Sequence, residues 1–158
     1  HTKQAFTLIE LVIVIVVLGL LSAVVMPRAR GIIENSRVNA TEAELAQIQK
    51  AILGDASTGF EGFWNHMRRF PTNAEGLDIL INQGALADYS PQFDTGWLGP
   101  YLDNTDNDGD GTEDILQDGW GNDYHYDAVT RTLWSDGPDE TNNNRGNDDI
   151  VLFLDQNI

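Results

Sequence analysis

Hydrophobic positions dominate residues 6–26, FTLIELVIVIVVLGLLSAVVM, then thin to one side of a helical period over 28–53, and recur as short β-like runs near the C-terminus. The first stretch holds 21 residues and one ionisable side chain, Glu10. At about 1.5 Å per residue it predicts a helix of roughly 30 Å, enough to cross the hydrocarbon core of a bilayer. A cleavable export signal has an apolar core of about 7–15 residues followed by a small-residue cut site. Here the run is longer and leads through Pro27 into charged helical sequence with no such site, so the span is expected to be retained. Lys3 before it and the acidic bulk after it orient the C-terminal part away from the cytoplasm.

Over 28–53 the pattern becomes amphipathic: Val38, Leu45, Ile48 and Ile52 stand at spacings of 7, 3 and 4, beside Ala43 and Ala46 and among Arg37, Glu42, Glu44 and Lys50. A helix over 6–53 would be about 70 Å long, and Gly54, Asp55 and residues 57–59 end it. Phe60, Phe63, Trp64, Met67 and Phe70 then follow at near-helical spacing, as core or intersubunit packing does. A second short helix is predicted over 74–84 from Leu77, Leu80 and Ile81, ended by Gly84. Residues 85–121 read as an ordered loop, and strands are predicted over 123–129, 132–135 and 149–154. The expected fold is α+β, a long N-terminal α-helix packed on a small antiparallel β-sheet head. Its segments are 1–5, leader-like; 6–27, apolar; 28–53, amphipathic; and 54–158, the head.

Charge sharpens this division, because residues 1–53 carry 5 Lys/Arg against 4 Asp/Glu, whereas 54–158 carry 4 against 21. Such an acidic head repels nucleic acid and favours divalent cations. With no Cys there are no disulfides or thiolate metal sites. Within residues 103–118 there are 7 acids and no bases, and Asp106, Asp108, Asp110, Gly111 and Asp114 spell D-x-D-x-D-G-x-x-D. Alternate Asp side chains with the Thr112 carbonyl suit a Ca²⁺ loop of EF-hand type, although its twelfth position is Gln117 and no helix pair flanks it; a solvated acidic turn is the alternative. The three His, at positions 1, 66 and 125, have no metal or triad spacing, and no Ser has a nucleophile setting, so enzymatic activity is not expected.

Glu10 asks for a function, since an acid at bilayer depth costs about 2.5–3.5 kcal/mol and a buried acid is tolerable only when paired. A lone acid snorkelling to the headgroups is the bland alternative. Gly19 and Pro27 weaken the helix at two points, leaving either a kink or a locally unwound segment. The stretch K-Q-A-F-T-L-I-E-L at residues 3–11, with Gly19 in the apolar run and Pro27 at its end, resembles the N-terminus of type IV pilins and type II secretion pseudopilins. The resemblance implies a peptidase cut before Phe6 and methylation of the new amine, which Glu10 of a neighbouring subunit neutralises in a filament. The residue before the cut is usually Gly and here is Ala5.

Three further pieces, F-P-T-N-A-E-G-L at 70–77, D-G-W-G-N-D-Y at 118–124, and S-D-G-P-D at 135–139 followed by D-D-I at 148–150, are similar to the major pseudopilin branch of type II secretion. That resemblance implies a calcium ion held by the side chains of Asp139, Asp148 and Asp149 and the carbonyl of Asp136. In kind, hard oxygens suit Ca²⁺, and a cation offsets the repulsion between Asp148 and Asp149. This chain departs from the branch in three places. The loop between Asp139 and Asp148 is about two residues longer, the usual Asp-Pro-Trp-Gly is Asp118-Gly119-Trp120-Gly121, and residues 106–114 look inserted.

The expected function is a structural subunit of a helical pilus-like filament with a calcium-stabilised head, resident in the inner membrane before assembly and periplasmic or extracellular after it. Its implied partners are copies of itself, the inner-membrane assembly machinery, a prepilin peptidase and minor pseudopilins or pilins. A surface pilus subunit and a membrane-anchored, monomeric calcium-binding adhesin are the alternatives.

Overall fold

The computed structural model describes residues 7–103 and 114–154, the side chains of 23–30 and 114 excepted. One helix, α1, runs from Leu8 to Leu53 and passes Gly19 and Pro27 without a break. It begins on a capping box: Thr7 gives its backbone N–H and hydroxyl to Glu10 Oε2 at 2.8 and 2.7 Å, and its Oγ1 accepts the Glu10 N–H at 3.4 Å. It ends at Gly54, whose φ of 90° is open to glycine and whose N–H returns to the Lys50 carbonyl at 2.7 Å.

The chain divides into two units, His1–Ser36 and Arg37–Ile158. In the first, every large apolar side chain from Leu8 to Leu21 is exposed, between 41% and 82%. In the second, α1 buries the stripe Thr41, Leu45, Ile48, Ala51 and Ile52. Thr41 and Ala51 thus join the expected face, Val38 is half-buried on it, and Ala43 is exposed. The stripe packs into one core with Phe63, Leu80, Leu133 and Leu154, all essentially inaccessible.

Helix α2, Phe63–Met67, buries Phe63 and closes with Arg68 in the left-handed region. Phe60, expected to pack with them, is 41% exposed instead. The predicted helix over 74–84 is realised only as a turn and one 3₁₀ segment, Asp78–Leu80. Its apolar residues Leu77, Leu80 and Ile81 are nonetheless buried. The pattern had located the buried residues, but Gly76, at φ 61°, interrupts the α-helical backbone between Glu75 and Leu77.

Three strands, β1 His125–Asp127, β2 Thr132–Ser135 and β3 Ile150–Phe153, form an antiparallel sheet in the order β1-β2-β3. Leu133 lies opposite Tyr126 and Leu152, and Trp134 opposite His125 and Val151. β2, the central strand, is the most buried, with Thr132, Leu133 and Ser135 all inaccessible, because both of its edges are covered by neighbours. The β1–β2 turn is closed by Asp127, which accepts the Val129 N–H at 2.9 Å and the Thr130 hydroxyl at 2.7 Å.

Candidate functional site

At the N-terminal end, Glu10 is held by Thr7 through Oε2 alone, so among the described residues its Oε1 is left open to a second donor. A β-carbon at Gly19 would meet nothing within 4 Å beyond its own stretch of helix. Phe6 lies outside the described residues, as does the side chain of Pro27. Among the described residues no helix is long and apolar enough to cross a membrane, the 21-residue run continuing into residues 23–26. Thr7 was overlooked by the sequence reading, although T-x-x-E before an apolar run is its signal.

Of the proposed acidic calcium loop, Asp106, Asp108, Asp110 and Thr112 lie outside the described residues, and Asp114 opens a 3₁₀ turn, Asp114–Leu116.

The second candidate site is the turn after β2. Asp136 caps a 3₁₀ segment, Gly137–Asp139, with Gly137 at φ 70°, where a β-carbon would run into the Asp148 carbonyl. This close approach brings two of the expected carboxylates together. The Asp139 N–H donates to Asp148 Oδ2 at 3.0 Å, and the Asn147 amide donates to Asp148 Oδ1 at 2.8 Å and Asp139 Oδ2 at 3.4 Å. The Asn143 amide also donates to Asp139 Oδ2, at 3.1 Å. Asp149 is turned elsewhere in the same loop, accepting the N–H groups of Arg145, Gly146 and Asn143 at 2.8, 3.2 and 3.4 Å.

The Asp136 side chain lies 3.0 Å from His125 Nε2, yet the direction is not that of a hydrogen bond and its buried Oδ1 has no donor. His125 itself stacks on Trp134 at 5.0 Å, and the Arg145 guanidinium covers Trp134 at 5.4 Å.

Among the described residues no group of three or more His, Cys, Asp or Glu is close enough to hold a metal ion. The expected donors are hard oxygens of the kind calcium takes, but only Asp139 and Asp148 come together here, through the Asn147 amide that donates to both. Asn143, Arg145 and Asn147 were missed by the sequence reading; the run N-N-N-R-G-N carries turn-forming residues as its only signal.

Beneath the turn lies a set of buried polar groups that the sequence did not single out. Asp118 and Ser135 are 6% and 0% exposed, and the Ser135 hydroxyl donates to Asp118 Oδ2 at 2.5 Å. On α1, Thr41 accepts the Gly119 N–H at 3.0 Å, and Glu44 accepts the Tyr124 hydroxyl at 2.6 Å. Burial, and then the Glu44 carboxylate, push the Tyr124 phenol far above its ordinary range.

A helix with an uncovered apolar first part, and a second part that packs on a small antiparallel sheet, defines a pilin-like subunit. The sequence profile described as "Type II secretion system (T2SS), protein G" matches residues 29–153, and that described as "Prokaryotic N-terminal methylation motif" matches residues 1–26. The chain belongs to the type II secretion system protein G family, the major pseudopilins. A Klebsiella pneumoniae protein described as "Type II secretion system core protein G" is 25% identical over 152 residues, covering 92% of this chain and 94% of its own. One of the same description from Aeromonas hydrophila is 26% identical over 122 residues, covering 77% and 71%. No solved structure matches at a significant level. The family is structural, so the chain is a pseudopilin subunit and not an enzyme.

Proposed function

We propose that the chain polymerises into a helical pseudopilus, extended from the inner membrane, in which N-terminal helices pack together and calcium stabilises the head. The observation that carries this reading is the apolar surface from Leu8 to Leu21, exposed on every side of α1. A helix hydrophobic all round needs cover from lipid or from protein. The sequence run 6–26 is long enough for the bilayer, and Glu10 gives it a reason to leave. In the capping box only one Glu10 oxygen is engaged, so the carboxylate can keep Thr7 while Oε1 accepts a methylated amine at Phe6 of a neighbouring copy.

The methylation motif over residues 1–26 supports a prepilin peptidase as processing partner. Other partners are copies of this chain, the inner-membrane assembly machinery and minor pseudopilins, with the head periplasmic. In the head, Asp139 and Asp148 would hold calcium, with Asp149 and the Asp136 carbonyl from the same turn; the ion supplies positive charge between carboxylates that otherwise repel. The motif Asp106, Asp108, Asp110, Thr112 and Asp114 would be a second calcium loop.

Imaging of membrane extracts tests the assembly role. Glu10→Leu should leave membrane insertion intact and abolish filaments. Normal filament yield from this variant would contradict the proposal.

A further inference from the structure

We propose that Thr41, Asp118 and Ser135 are positioning residues, a buried relay that fixes the carboxylate turn of residues 136–149 relative to α1. Gly119 is the residue by which this chain completes it. All three side chains are buried, at 0%, 6% and 0% exposure, and none belongs to the exposed apolar run from Leu8 to Leu21.

The relay starts on α1, where Thr41 Oγ1 accepts the Gly119 N–H at 3.0 Å. A β-carbon at Gly119 would lie 2.9 Å from the Arg37 carbonyl, so only glycine lets this turn come so near the helix. A proline at this place would have no N–H to give, so the link to the helix needs a residue that keeps its amide.

Asp118 is next. Its Oδ1 accepts the N–H groups of Trp120 and Asn122 at 3.0 and 2.9 Å, which shapes the turn around Gly119. Its Oδ2 accepts the Ser135 hydroxyl at 2.5 Å. Ser135 Oγ in turn accepts the Gly137 N–H at 3.0 Å, and Gly137 abuts the Asp148 carbonyl while the Asp139 N–H reaches Asp148 Oδ2. The three buried side chains are out of reach of water that could replace a lost partner, so each bond holds the next in place. A relay of this kind sets where Asp139 and Asp148 stand whether or not an ion is bound.

The inference rests on the reading of this turn as the calcium-holding one, and two measurements on the full-length chain in detergent separate the two. The first is amide hydrogen exchange in chelator, for wild type, Thr41→Val, Ser135→Ala and the double variant. The expected result is exchange roughly tenfold faster at Gly137 and the amides after it in each single variant, with the α1 core unchanged and the double variant no worse at the turn than Ser135→Ala. The second is the rise in Tm on adding calcium chloride, which should shrink in the variants. A merely structural role would speed exchange evenly through the head and leave the calcium increment unchanged, which would overturn the relay. Absence of any calcium increment in wild type would instead overturn the calcium reading, with exchange still deciding the relay. Should Ser135→Ala not fold, Asp118→Asn, which keeps the volume, carries the same two readings.

Discussion

The Glu75 carboxylate takes both arms of the Arg69 guanidinium, at 2.6 and 2.7 Å, and also the N–H and hydroxyl of Thr72 at 2.8 and 2.9 Å. Arg69 first, and then Thr72, hold its pKa down to about 2. A depressed carboxylate contributes stability above its unfolded pKa of about 4.5, and loses it as pH falls through the folded value. Glu75→Gln should cost about 1–2 kcal/mol at neutral pH, screening by solvent included. In thermal melts, the gap between wild type and variant should close as pH is lowered from about 4.5 towards 2. A gap that is independent of pH would exclude the ion pair as its source. At this scale the sequence was partly legible. Glu10 announces itself by isolation in an apolar run, whereas Thr7, Thr72 and Glu75 show only through the T-x-x-E spacing. Thr41 shows nothing and Asp118 only its place in the D-G-W-G-N-D-Y stretch, since what makes them matter is burial beside residues distant in sequence.

Elements were legible where one period ran long enough. Leu45, Ile48 and Ile52 are buried on α1 as their spacing predicts, and all three strands fall within or at their expected runs. The 74–84 segment kept its buried residues and lost its helix, because short periodic runs with an internal glycine do not specify the backbone. The turn after β2 is the least readable element. Its shape comes from side-chain-to-backbone bonds of Asp139, Asp148 and Asp149, and from left-handed residues Glu140, Asn144, Arg145 and Asn147. Gly137 is the residue this turn depends on, having both a φ of 70° and no room for a β-carbon beside the Asp148 carbonyl. Gly137→Ala should lower stability by on the order of 2–3 kcal/mol in denaturant titrations. A loss within about 0.5 kcal/mol, the range of surface substitutions, would mean that the turn yields freely.

For the whole molecule the issue is charge. The head is strongly acidic, and its described cations are committed within the chain: Arg68 to Asp94, Arg69 to Glu75, Arg145 to Asp127, and Arg131 stacked on Phe70 at 4.6 Å. Heads brought together in a filament would therefore repel one another, and the exposed apolar side chains of α1 would have to supply the attraction that opposes this. Calcium in the head would lower the repulsion and hold the turn at the same time. The most direct measurement is negative-stain imaging of native membrane extracts of the full chain in calcium and in chelator. Filaments are expected in calcium and should shorten or vanish in chelator; single dispersed particles under both conditions would contradict the proposed calcium-stabilised filament.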